Sequence, residues 1–192
     1  MPTSPYLSSI GGIILTWSHL ETSINFTISA IYDNWHGAKV DPKIPNVSMK
    51  RKIKFLRDWF NQSPNIMSQN TWIPIALEYL TTLSKIRNAI AHGIMEYDLN
   101  LEWSKIEEAS FTINGPDKNK HGLVLKKINI QQLDSVSRLF IAMTDLWHQF
   151  RAFLEGRTGL NDHYRHMTEK LSLVTTLLDD VADIFEQARV DS

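Results

Sequence analysis

The sequence predicts an all-α fold: an antiparallel helical bundle of about five helices, with a small β-hairpin inserted after the third helix. Three observations carry this. Long stretches repeat apolar residues every three or four positions, the spacing of one helix face. A single stretch, between about 96 and 129, alternates instead, as strands do. Apart from Gly11, Gly12 and Pro74 in first turns, glycine and proline fall between the helical stretches rather than within them. With 192 residues, 43% hydrophobic and 21% charged, the chain has the balance of one globular domain over residues 1–192.

Each element follows from its own pattern. Leu7 to Trp35 carries Ile10, Ile13, Ile14, Trp17, Leu20, Ile24, Ile28 and Ile31 on one helical face. Pro42 and Pro45 mark a loop. Ser48 is an N-cap for a second helix with Ile53, Leu56 and Phe60 as its core line, closed by Pro64. A third helix spans about Thr71 to Ala91, with Pro74 in its first turns and Gly93 as the left-handed residue that ends it. Phe111-Thr112-Ile113 and Leu123 to Ile128 form the hairpin around Asn114-Gly115-Pro116-Asp117. Leu133 to Phe153 is a fourth helix, stopped by Gly156 and Gly159. A fifth begins near Asn161 and carries Tyr164, Met167, Leu171, Val174, Leu178, Val181 and Phe185.

Composition excludes several functions. Twenty Lys and Arg against 21 Asp and Glu give a net charge of -1, so the chain is no bulk polycation holding nucleic acid by charge alone. Absence of cysteine removes disulfides, thiolate metal sites and cysteine nucleophiles. The early apolar run Ile10 to Leu15 is too short to span a bilayer. No basic leader precedes it. The expectation is a cytoplasmic protein with no membrane partner and no cofactor.

Two charges intrude on apolar stripes. Glu21 is the sole charged residue among the first 32, and on an ideal helix it falls about 40° from Trp17. Arg87 falls about 20° from Leu80 in the third helix. Buried charges need partners, so the simplest arrangement pairs Glu21 with Arg87. Such a pair either ties two helices together or orients Arg87 at a cleft or subunit seam. Periodicity leaves both open.

Around Arg87 the chain reads Lys85-Ile86-Arg87-Asn88-Ala89-Ile90-Ala91-His92-Gly93. Asn88 and His92 share a helical face. Arg87 offers planar, multi-donor phosphate recognition, and His92 offers acid–base chemistry near neutral pH. Together they supply the minimum for a metal-free phosphoryl step on RNA. A histidine at a helix C-terminus is also favourable against the helix dipole with no catalysis involved.

Arg87-Asn88-Ala89-Ile90-Ala91-His92-Gly93 resembles the signature of HEPN domains, in which an Arg, often followed by a polar residue, precedes a His by four to six positions. Trp17-Ser18-His19-Leu20-Glu21 is similar to the Trp–x–x–Leu–Glu element of several bacterial members. The resemblance implies a helical bundle that dimerises, with two Arg–His motifs in a shared cleft. It also implies a metal-independent endoribonuclease of a toxin–antitoxin or phage-defence system, with RNA as substrate and a cognate antitoxin as partner. Arg87 then binds the scissile phosphate, His92 transfers protons and Asn88 positions phosphate or His92. The product carries a 2′,3′-cyclic phosphate. Glu21 supports Arg87. Some family members have a Tyr two residues after the His. Here that position is Ile94, and the nearest Tyr is Tyr97. Other members are non-catalytic binding or assembly modules, and this is the alternative reading, with Glu21–Arg87 as a structural pair.

The run Lys50-Arg51-Lys52-Ile53-Lys54 is a candidate RNA-binding face, or simply a solvated one. Lys118, Lys120, Lys126 and Lys127 give the hairpin a similar character. Asp162, His163, His166 and Glu169 have ligand-type side chains at helical spacing, but a solvated helix start is the expectation, with no metal site. Trp17, Trp72 and Trp147 fall on stripes as core, whereas Trp103 is a candidate contact residue.

Overall fold

A computed structural model describes residues 5–37, 48–96, 106–114 and 121–190. Among them are seven helices and three strands: α1 (Pro5–Asn34), α2 (Met49–Asn61), α3 (Pro64–Gln69), α4 (Ile73–His92), β1 (Ile94–Glu96), β2 (Ala109–Asn114), β3 (His121–Ile128), α5 (Ile130–Leu154), α6 (Leu160–Asp180) and α7 (Ala182–Val190). The chain is mostly helical, as the apolar spacing requires. About five helices was too few for two local reasons. Pro64 does not merely close α2; it starts the short α3 from its first position, where a missing N–H costs nothing. The expected fifth helix breaks at Val181 into α6 and α7.

The β element is also larger than a hairpin. Antiparallel β1, β2 and β3 lie in that order, with Ile94 opposite Thr112 and Phe111 opposite Leu125. The sheet follows the fourth helix rather than the third. β1 has three residues, too few for alternation to reveal it. Trp103, Tyr97, Lys118 and Lys120 lie outside the described residues, as does the turn 115–117.

Contacts divide the chain into two compact units. The first comprises residues 1–18, 82–141 and 173–192. Its core gathers Ile13, Leu83, Ile86, Phe111, Leu125, Leu133, Val136 and Phe140, all fully buried. Trp17 meets Phe140 edge-on at 5.3 Å, and the Tyr6 hydroxyl donates to the carbonyls of Glu107 and Ile128. Burial, then the Glu108 charge, raises the Tyr6 pKa. On β3 the Lys126 N–H donates to Gln187 Oε1 at 2.6 Å, and Gln187 Nε2 returns a bond to the Lys126 carbonyl at 3.3 Å. One α7 side chain thus satisfies both backbone groups at that position, where an uncovered edge invites strand pairing.

The second unit comprises residues 19–81 and 142–172. Its centre is aromatic: Trp72 crosses Trp147 and Phe150 edge-on at 5.9 and 5.7 Å, and Phe60 reaches Phe150 at 5.5 Å. Such contacts add about 0.5–1.5 kcal/mol each beyond the buried area. Ser23 and Thr27 are buried and donate to the Thr144 and Trp147 carbonyls, which is how α1 stays apolar in character yet pairs its hydroxyls. Ser48 caps α2 by accepting from the Arg51 N–H. At the end of α5, Gly156 takes φ 68°. The Arg157 and Gly156 N–H groups then bond the Ala152 and Phe153 carbonyls, closing the helix in the manner a left-handed glycine permits.

The candidate functional site

The last two turns of α4 carry the site, and their placement follows from their apolar neighbours. Ile86, Ala89 and Ile90 are buried, so the intervening Arg87 lies half-buried and Asn88 and His92 are exposed. The helix then passes directly into β1. Gly93 donates to the Ala89 carbonyl at 2.8 Å, and a Cβ at position 93 would stand 2.2 Å from that oxygen and 3.1 Å from the Thr112 carbonyl. Glycine is required there for close approach. It is not the left-handed cap expected from sequence, since Gly156 is the glycine with positive φ among the described residues.

Arg87 Nη1 lies 3.0 Å from Asn88 Oδ1 and 3.0 Å from His92 Nε2. Arginine only donates. Nε2 of His92 is therefore an acceptor here, and a neutral ring carries its proton on Nδ1. Both Nη1 hydrogens are engaged, while Arg87 Nε is buried without a partner among the described residues. The cluster is a guanidinium, an amide and an imidazole at the negative end of a helix dipole, which favours positive groups. An oxyanion that displaces Asn88 Oδ1 or His92 Nε2 from Nη1 meets the guanidinium directly.

Glu21 has a different partner from the one expected. Its Oε1 accepts from Lys52 Nζ at 2.6 Å, with the Lys52 side chain 3% exposed and that of Glu21 38% exposed. The intruding carboxylate on α1 is thus explained by a second intruder on α2, one that the run of basic residues concealed. Burial also takes Lys52 out of the candidate RNA-binding face. Lys50, Arg51 and Lys54 remain exposed, with Lys54 paired to Asp58.

The Asp162–Glu169 segment is less solvated than expected. Asp162 pairs with Arg165 at 2.9 Å, but His163 is fully buried. Its ring stacks on Phe153 at 4.3 Å, and Nε2 lies 2.7 Å from Asn70 Oδ1. Because Asn70 Nδ2 donates to the Ile66 carbonyl, Oδ1 is the acceptor, shared with Trp72 Nε1 at 3.3 Å. Burial, then the neighbouring His166, pushes the His163 pKa down to about 4. Among the described residues no three His, Asp or Glu side chains converge to hold a metal ion, and no helix is long and apolar enough to cross a membrane.

No family model, curated protein or solved structure matches this chain.

Proposed function

We propose that this protein is a metal-independent endoribonuclease of the HEPN type, working as a homodimer through Arg87, Asn88 and His92. The observation that carries the reading is the contact of the Arg87 guanidinium with both Asn88 and His92 at 3.0 Å. Residues that the motif spaces one and five positions apart are gathered at one exposed helix end. In the reaction, the RNA 2′-oxygen attacks the adjacent phosphorus and the bond to the 5′-oxygen breaks. The products are a 2′,3′-cyclic phosphate and a 5′-hydroxyl. One proton leaves the 2′-hydroxyl and one reaches the departing 5′-oxygen. His92 Nε2, freed from Arg87 by the incoming phosphate, is the group for one of these transfers. The His92 of a second subunit serves the other. Arg87 stabilises the charge that grows on the phosphoryl oxygens. Placement in a toxin–antitoxin or phage-defence system, with a cognate antitoxin, rests on the sequence resemblance alone.

The test compares wild type, Arg87→Ala and His92→Ala on a mixed RNA pool in EDTA, with analysis of the ends formed. Cyclic phosphate ends from wild type alone are the expected result. Wild-type cleavage that stops in EDTA, or His92→Ala cleavage at the wild-type rate, overturns the mechanism. No cleavage by any of them transfers the reading to a non-catalytic binding module. In that module the Glu21–Arg87 pair has no part, because Glu21 bonds Lys52.

A further inference from the structure

The second unit contains a cleft of about 330 Å³ lined by Trp35, His36, Trp59, Gln62, Ser63, Pro64, Asn65 and Ile66. This volume is at the lower end of the range for small-molecule sites. Three features bear on what it takes. The described lining carries no Lys, Arg, Asp or Glu, so none of the described lining side chains selects a charged ligand. Both indole N–H groups are already committed: Trp35 Nε1 to the Leu154 carbonyl at 2.8 Å and Trp59 Nε1 to the Trp35 carbonyl at 3.1 Å. Trp59 is fully buried, so the half-buried Trp35 ring is the aromatic surface on offer, and neither indole brings a free donor. Proline-rich peptides, whose carbonyls such indoles usually meet, are disfavoured on that account. By contrast the side chains of His36, Gln62, Ser63 and Asn65 form no hydrogen bond among the described residues. Ser63 even occupies the N-cap position of α3 without using its hydroxyl to cap it.

His36 adds an independent observation. Its φ is 57°, an uncommon conformation for a non-glycine residue that persists only where the surroundings impose it. The surroundings do so on both sides. Trp35 is held by its bond to Ile31, by its indole and by Trp59. Gly37 is pressed so closely on α1 that a Cβ would lie 3.0 Å from Ile31 and 3.1 Å from Tyr32. The strained residue between them turns an exposed, unpartnered imidazole to the cleft.

We propose that this cleft binds an uncharged purine ring, adenine in preference to the other bases. The exposed part of the Trp35 ring holds a base by its face, and the Asn65 and Gln62 side-chain amides match the paired donor and acceptor of adenine N6 and N7. The site reads the base and ignores the phosphate. It shares no residue with Arg87, Asn88 and His92, so it does not depend on the ribonuclease reading. The adenine comes either from a free nucleoside or from a base in an RNA strand.

The experiment titrates the full chain with adenosine, AMP, guanosine and cytidine, following tryptophan fluorescence and amide chemical shifts. Saturable binding of adenosine is expected, with AMP equal to within about threefold and guanosine about tenfold or more weaker. Gln62→Ala with Asn65→Ala, both at exposed positions, weakens adenosine by about tenfold or more. His36→Gly, which suits the left-handed backbone, weakens it with unchanged thermal stability or a gain. A six-residue oligoadenylate that binds tenfold tighter than adenosine, through the same residues, assigns the base to a strand. Equal affinity assigns it to the free nucleoside. No saturable response to adenosine at millimolar concentration overturns the proposal. So does AMP binding far tighter than adenosine, or affinity untouched by the variants in a folded protein.

Discussion

Two histidine–asparagine clusters in this molecule use the same residue types to opposite ends. His92 and Asn88 meet a guanidinium at an exposed helix end. His163 and Asn70 are both fully buried, locked to each other and to Trp72. In the first cluster the hydrogen bonds are exchangeable, because an incoming anion can replace them. In the second, every exchange exposes a buried polar atom at a cost of about 1–3 kcal/mol. Access to solvent, not the identity of the side chains, separates a candidate site from a structural network.

The largest expected effect breaks the comparison at its histidines. On the proposed ribonuclease reading, His92→Ala reduces RNA cleavage about 10²–10⁴-fold, the usual contribution of general acid–base catalysis, and leaves urea unfolding within about 1–2 kcal/mol of wild type, since a helix-end histidine contributes no more. His163→Ala does the reverse. It removes a ring stacked on Phe153 and one of two donors to Asn70 Oδ1, so stability falls by about 2–4 kcal/mol while the folded fraction cleaves at the wild-type rate. A variant of either histidine that lost both properties equally would merge the two clusters into one.

Acidification sharpens the comparison. His163 titrates near 4 in the folded chain and near 6.5 when unfolded. Between these values the unfolded chain holds the extra proton, so stability is lost as pH falls through the window. The slope approaches 1.4 kcal/mol per pH unit and totals about 3 kcal/mol. The physical cause is visible at Nδ1, the atom that must accept the proton: it is buried without a partner among the described residues. Urea unfolding at pH 7, 5.5 and 4 measures the loss. His163→Phe, which keeps the ring and cannot titrate, is expected to flatten the profile. An unchanged slope in that variant would place the acid sensitivity elsewhere.

What the sequence revealed divides along the same line. Ile86, Ile90, Leu133 and Phe140 were legible as core because apolar spacing repeats over several turns. Arg87, Asn88 and His92 were legible as a group because they belong to one helix, where spacing is geometry. Lys52 was not, because its burial depends on Glu21, a residue of another helix 31 positions away. His163 was hidden for the same reason: its neighbours Asp162 and Arg165 are exposed and charged, and its partner Asn70 is 93 positions earlier. Trp35 and His36 gave no periodic signal, since they stand where α1 ends and the chain leaves the helix. Local pattern reports which face is inside; it does not report which polar side chains meet there.

The smallest effect concerns the asparagines, and it asks whether burial alone ranks the two clusters. Among the described residues Asn70 makes three side-chain hydrogen bonds: to the Ile66 carbonyl, from Trp72 Nε1 and from His163 Nε2. Asn70→Ala strands both ring donors away from water, and the expected loss is about 1–3 kcal/mol. Asn88 makes one, accepting from Arg87 at an exposed position. Water replaces the amide there, and Ala is the better helix former by about half a kcal/mol. Asn88→Ala is therefore expected to leave stability within about 0.5 kcal/mol of wild type, or slightly above it. Its effect belongs instead to the Arg87 side chain, which loses one of its two Nη1 contacts and is held less firmly beside His92. Chemical denaturation separates the two asparagines. A loss above about 1 kcal/mol in Asn88→Ala would mean that the Arg87 cluster is a structural network like the His163 one, and the ground for treating it as a site would be gone.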